Sequence, residues 1–163
     1  MDTSGMMNQY IKDESELTSL EISDPFSVAL LESNDVLELE IATVKQKIQF
    51  AETARQKNKS NNKEQYEKVI RDHESHERQL ASKLAMLVDS VQTEKLSLPE
   101  YLDRLRVRVQ RDKVLAKYLV NKSKLTKNKN NEKETAMQVF KRFKLMEEEI
   151  TTAVSMQQEE TKE

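Results

Sequence analysis

The chain holds two histidines, and both fall in one short run, "HESHE" at 73–77. On a helix His73 and His76 share a face, with Glu77 one turn from His73. Imidazole and carboxylate at that spacing suit a metal, and helical bundles build such sites from Glu and His on facing helices. A closed site needs more ligands than this run supplies, and there is no further histidine and no cysteine. The run therefore reads as a polar layer in a helical seam, where His73 and Glu77 help fix register at some cost in stability. Nucleophilic catalysis needs a base beside Ser or Thr and a preorganised oxyanion site, and neither histidine lies in such a motif. Gly5 is the only glycine, so a phosphate-cradling loop has no material. No enzyme, metal or cofactor is expected.

Cations give the stronger signal. Residues 104–144 carry fourteen Lys/Arg against Asp112, Glu132 and Glu134, while residues 1–40 carry ten acids against Lys12 alone. Arg104, Arg108 and Arg111 share a helical face, with Arg106, Lys113 and Lys117 close by. Lys122, Lys124, Lys127 and Lys129 extend the charge, and Lys141, Arg142 and Lys144 add to it from the next helix. Such a face suits an acidic protein surface or helix, or an anionic membrane surface. Nucleic acid is a weaker match, because neither a reader motif nor a row of stacking aromatics accompanies the charge. The plain alternative is a solvated face balanced by the acidic N-terminus of the chain itself.

The elements that carry these residues follow from composition and period. Charged residues make up 34 % of 163, with one Gly, two Pro and no Trp. Long amphipathic helices suit such a chain, because each buries a narrow stripe and needs few turns. The expected class is all-α and elongated: two antiparallel coiled-coil hairpins, lying end to end or packed as a four-helix bundle. Residues 1–23 read as a disordered acidic tail, and 24–93 as the first hairpin with its turn near 56–63. Asp24 and Pro25 suit a helix start, followed by a restart capped by Ser33. Leu37, Ile41, Val44 and Ile48 form one seam, and Ile70, Leu80, Leu84, Leu87 and Val91 the facing one.

Residues 94–154 read as the second hairpin, with a Lys/Asn loop at 121–134 and a frayed tail at 155–163. Its start is well specified: Ser97 and Glu100 match a capping box, Leu96 and Tyr101 a hydrophobic staple, and Pro99 falls in the first turn. "RLRVRV" at 104–109 alternates like a strand, but sits within a longer helical period. Ala136, Val139, Phe140, Phe143, Met146 and Ile150 are expected to face inward on the last helix. The lack of cysteine, of a signal peptide and of any long apolar run gives a cytoplasmic expectation.

The segments "EKLSLPEYLDRLRVRVQRDKVLAKYL" and "AMQVFKRFKLMEEEI", with "SNDVLELEI" at 33–41, carry a family resemblance. They resemble helical segments of coiled-coil-and-C2-domain proteins of the giant-discs type, over 33–41 and 94–150. That family works in endosomal membrane trafficking, where basic hairpins bind acidic ESCRT-III subunits. The resemblance implies the same role for Arg104, Arg108, Arg111, Lys113 and Lys117. The chain departs from the family in having no C2 domain, no repeated basic hairpins, and a long Lys/Asn loop. The expected function is a protein–protein interaction module, an adaptor or scaffold component in membrane trafficking. A self-associating coiled-coil rod, as a homo-oligomer, and a nucleic-acid-binding helical protein are the alternatives.

Overall fold

A computed structural model describes residues 7–58 and 62–161, all-α with no strand among them. Among the described residues the helices run α1 (Ser19–Ser23), α2 (Asn34–Lys57), α3 (Lys63–Gln92), α4 (Leu98–Thr126) and α5 (Glu132–Thr161). Short 3-10 turns at Glu14–Glu16 and Val28–Leu30 flank α1. α2 packs on α3 and α4 on α5, so each pair is a hairpin.

The hairpins are not end to end. Leu37 and Val44 of α2, Leu80 of α3, Leu102 and Leu105 of α4, and Phe143 and Met146 of α5 belong to one buried cluster. The shared core thus joins the start of α2, the second half of α3, the start of α4 and the middle of α5. Of the seam positions, Leu37, Val44, Ile70 and Leu80 are buried, while Ile41, Ile48, Leu84, Leu87 and Val91 are half-buried. Away from that core, α2 and α3 continue as a thinner two-helix arm, in which Ala51 and Ile70 are the buried apolar residues among those described. His73 and Glu77 lie half-buried on this arm, Glu77 at 3.8 Å from Lys45.

The start of α4 is built nearly as its sequence requires. Ser97 Oγ accepts from the Glu100 amide at 3.2 Å. Glu100 then takes the Ser97 hydroxyl at 3.1 Å instead of reaching back to the Ser97 amide, so the box is half closed. Leu96 and Tyr101 are both buried in the shared core, as a staple demands.

Four expectations are corrected. Residues 7–23 are no free tail: Ile11 and Leu17 are buried in a second cluster with Leu115, Leu119, Ala136 and Val139, against α4 and α5. Residues 1–6 lie outside the described residues. Pro25 starts no helix, and Asp24 instead closes α1 through its amide to Leu20 O at 2.8 Å. The 121–134 loop shrinks to a turn at 127–131, where Lys127, Asn128 and Asn131 take positive φ of 56°, 60° and 56°. Asn tolerates that left-handed region better than most residues. The Glu132 carboxylate then ties the turn, accepting from Thr126 Oγ1 and the Asn130 amide. Finally, α5 continues to Thr161, where a frayed tail from 155 is expected; 104–109, as expected, lies wholly inside α4.

Candidate interaction site

Arg111 and Asp112 stand one turn on from Arg108 along α4, and the helix points all three inward. Arg108 Nε donates to Asp112 Oδ1 at 2.9 Å. Arg142, from α5, grips the same carboxylate with two bonds of 2.8 Å. The remaining partner comes from the N-terminal segment. Glu21 Oε2 accepts from Arg108 Nη2 at 2.5 Å and Arg111 Nε at 3.0 Å, and Oε1 accepts from Arg111 Nη2 at 2.5 Å. Among the described residues, three guanidiniums thus share two carboxylates, and all five side chains are at most 5 % exposed. Backbone carbonyls serve the surplus cation: Gln9 O accepts from Arg111 at 2.8 Å and Pro25 O from Arg142 at 2.5 Å. Arg142 also lies 5.1 Å from the Phe26 ring centre.

Glu21 is presented by a complete capping box. Thr18 Oγ1 accepts the Glu21 amide at 3.1 Å, and Glu21 Oε1 accepts the Thr18 amide at 2.9 Å. Sequence reasoning missed this box, although "TSLE" carries the same signature as "SLPE". Gln110 adds a two-way clasp with Ile11, at 2.9 and 2.7 Å. Further along, Lys83 of α3 donates to Val28 O at 2.6 Å and Ser33 to Glu149 at 2.6 Å. The segment from Gln9 to Ser33 is therefore a strap that touches both hairpins.

The cluster has a pH signature. Burial raises the Glu21 carboxyl, but the Arg111 hydrogen bond, the Arg108 charge and the Thr18 amide outweigh it and hold the group down at about 2. A depressed carboxylate contributes its stabilisation fully above its unfolded value of 4.5 and loses it as pH falls from there towards about 2. That contribution is on the order of 3 kcal/mol. Acid titration by circular dichroism is expected to show stability falling steeply across this window, and Glu21→Gln should flatten the slope.

The predicted basic face thus divides. Arg108, Arg111 and Arg142 are interior and met by the chain's own acids, which corrects their expected place on an open docking face. Arg104 lies 3.8 Å from Glu32 and Arg106 3.0 Å from Asp103. Lys141 lines a hollow with Lys47, His76 and Arg142, apart from the other lysines. Lys113 and Lys144 both approach Glu147, at 3.5 and 3.7 Å. Lys113 also borders, with Lys117, a groove between α4 and α5.

The groove encloses about 500 Å³. Its floor is Ala116, Val120, Ala136, Met137, Phe140 and Phe143, and its rim is Lys113, Lys117, Lys124 and Lys133. No carboxylate lines it among the described residues. Val120, Met137 and Phe140 are 40, 56 and 49 % exposed, although Phe140 was expected inward. Phe140 packs edge-on to Phe143 with centroids 4.9 Å apart. Lys144 covers both rings, at 5.4 and 5.9 Å, and Lys113 lies 5.7 Å from Phe143. From Lys113 to Lys124 the groove follows three helical turns, roughly 16 Å. Lys124 and Lys133 were not singled out as a pair, because only the antiparallel register of α4 and α5 sets them around one floor.

Among the described residues no three His, Asp or Glu gather as metal ligands, and no helix is long and apolar enough to cross a membrane. No family model, curated protein or solved structure matches this chain.

Proposed function

We propose that the chain is a cytoplasmic, non-enzymatic adaptor or scaffold component that receives an acidic amphipathic helix in the α4–α5 groove. One observation carries the reading: an exposed apolar floor inside a lysine rim, with no carboxylate of its own lining it. A merely solvated basic face has no reason to leave Met137 and Phe140 half in water. A helix laid along the groove would seat apolar anchors one turn apart on the floor, while its acids meet the rim. The apolar contact supplies affinity, and the lysines supply orientation and a salt-dependent on-rate. Membrane trafficking is the setting that the family resemblance implies for such an adaptor. The rod reading has less to work with, since Leu37, Val44 and Leu80 are already spent within the chain's own core.

The test is a photo-crosslinker placed at position 137 in cells, followed by titration of the captured protein's helix onto purified chain. Phe140→Asp, and separately Lys117→Glu with Lys124→Glu, should each weaken binding roughly tenfold or more. Arg104→Glu lies off the groove and should leave it unchanged. Equal affinity for all of these variants would remove the groove from consideration.

A further inference from the structure

The free end of the second hairpin is a different surface from its groove. Residues 113–131 hold six lysines and no acid. Four of these, Lys122, Lys124, Lys127 and Lys129, crowd the last turn of α4 and the turn that follows. In their midst stands Leu125, 86 % exposed. Its neighbours along the helix are satisfied without it: Ser123 Oγ donates to Val120 O at 2.6 Å, and the Thr126 hydroxyl turns to Glu132 at 3.0 Å.

Of the carboxylates near this end, Glu132 is withdrawn, Glu134 is exposed but tied to the turn, and Asp13 and Glu14 are set back. Glu132 is 4 % exposed and faces the turn, accepting from Thr126 and Asn130. Glu134 accepts from Asn128 at 3.3 Å. Asp13 and Glu14 lie further back along α4, beside Tyr118 and Asn121. The end is also remote from the shared core, roughly 25 Å along the helix axis from Val109, its last buried residue on α4, at the usual rise.

We infer that this tip docks on an anionic membrane surface, Leu125 entering the headgroup boundary while the surrounding lysines meet lipid phosphates and carboxylates. The shape decides among cation-seeking partners. A hairpin end is convex, so one projecting apolar side chain ringed by cations can enter a deformable interface. A partner helix would need the concavity that the groove has and the tip lacks. Single-stranded nucleic acid binds through stacking aromatics interleaved with its cations. The turn offers Asn and Lys instead. The inference goes beyond the groove reading, because Lys122, Leu125, Lys127 and Lys129 line no part of the groove.

Co-sedimentation of the full chain with phosphatidylcholine vesicles, with and without phosphatidylserine, tests this. Binding is expected only with phosphatidylserine, and it should fall as salt shortens the screening length. Leu125→Glu, and the triple change Lys122→Gln, Lys127→Gln, Lys129→Gln, should each weaken it roughly tenfold. These surface changes should leave the melting curve in place. Phe140→Asp should bind vesicles like the wild type, so failure of the tip is separable from failure of the groove. Absent binding to phosphatidylserine vesicles, or undiminished binding by both tip variants, overturns the inference. So does loss of RNA affinity in the tip variants without any vesicle binding.

Discussion

Replacing Asp112 with alanine is expected to destabilise the fold by about 3–5 kcal/mol. Both Asp112 oxygens are engaged, one by Arg108 and Arg142 together and the other by Arg142 alone. The residue is fully buried. Among the described residues, its loss leaves Glu21 as the remaining carboxylate of the cluster, beside three buried guanidiniums. An unpaired interior charge costs far more than the pair contributed, because neither arginine can deprotonate to escape. Urea denaturation followed by far-UV circular dichroism measures the loss. The cause is checked by a second change: Arg142→Met in the Asp112→Ala background should recover part of it, since one orphaned cation is removed. The two substitutions should therefore be strongly non-additive. A loss below about 1 kcal/mol for Asp112→Ala would mean that the arginines reach water, as an exposed pair does.

This cluster explains what the sequence could and could not disclose. Helix seams are local: Leu37, Val44 and Leu80 repeat with helical period, and that alone placed them inside. The cap at Ser97 is local too, four residues of a recognised pattern. The strap is neither. Its apolar residues are sparse, with Ile11 and Leu17 buried and Ile22 and Phe26 partly so. What fixes it is a carboxylate held by arginines 87 and 90 positions away. The opposed charge of the two regions was the one visible trace of that pairing. It supported an external acidic partner as readily as an internal one. For Arg108, Arg111 and Arg142 the internal partner is what the structure contains. Charge count could not separate inward arginines from outward lysines on the same helix, whereas helical phase does: 108, 111 and 112 fall on one side, 113, 117 and 124 on another.

The loop at 121–134 failed for a related reason. Asn is a weak helix residue, and an Asn/Ser-laced run with no apolar period reads as a break although Lys itself favours helix. In the chain, α4 continues because Leu119 and Ser123 still face α5 and the strap, buried at 4 and 9 % exposure. Packing overrides a weak propensity, and it does so up to the point where the buried positions stop.

The same dependence on packing predicts where the molecule opens. Leu105→Ala is expected to cost about 2–5 kcal/mol, and Leu80→Ala a similar amount, because each side chain is fully buried in the core the hairpins share. Both truncations should lower one common unfolding transition, with little change in denaturant slope, although Leu80 and Leu105 belong to different hairpins. Two separated transitions would mean that the hairpins fold independently. Native-state hydrogen exchange adds resolution. Amides around Leu80 and Leu105 should exchange only through global unfolding, and both truncations should speed them alike. Amides of the α2–α3 arm, near Phe50 and Val69, should exchange faster through local opening. Phe50 is 79 % exposed and Val69 43 %, and Ala51 and Ile70 bury too little between them to hold two helices closed. Neither truncation should alter that local exchange, since the arm opens without disturbing the core. The expected pattern, a core that sets global stability and an arm that opens alone, is read in a single experiment.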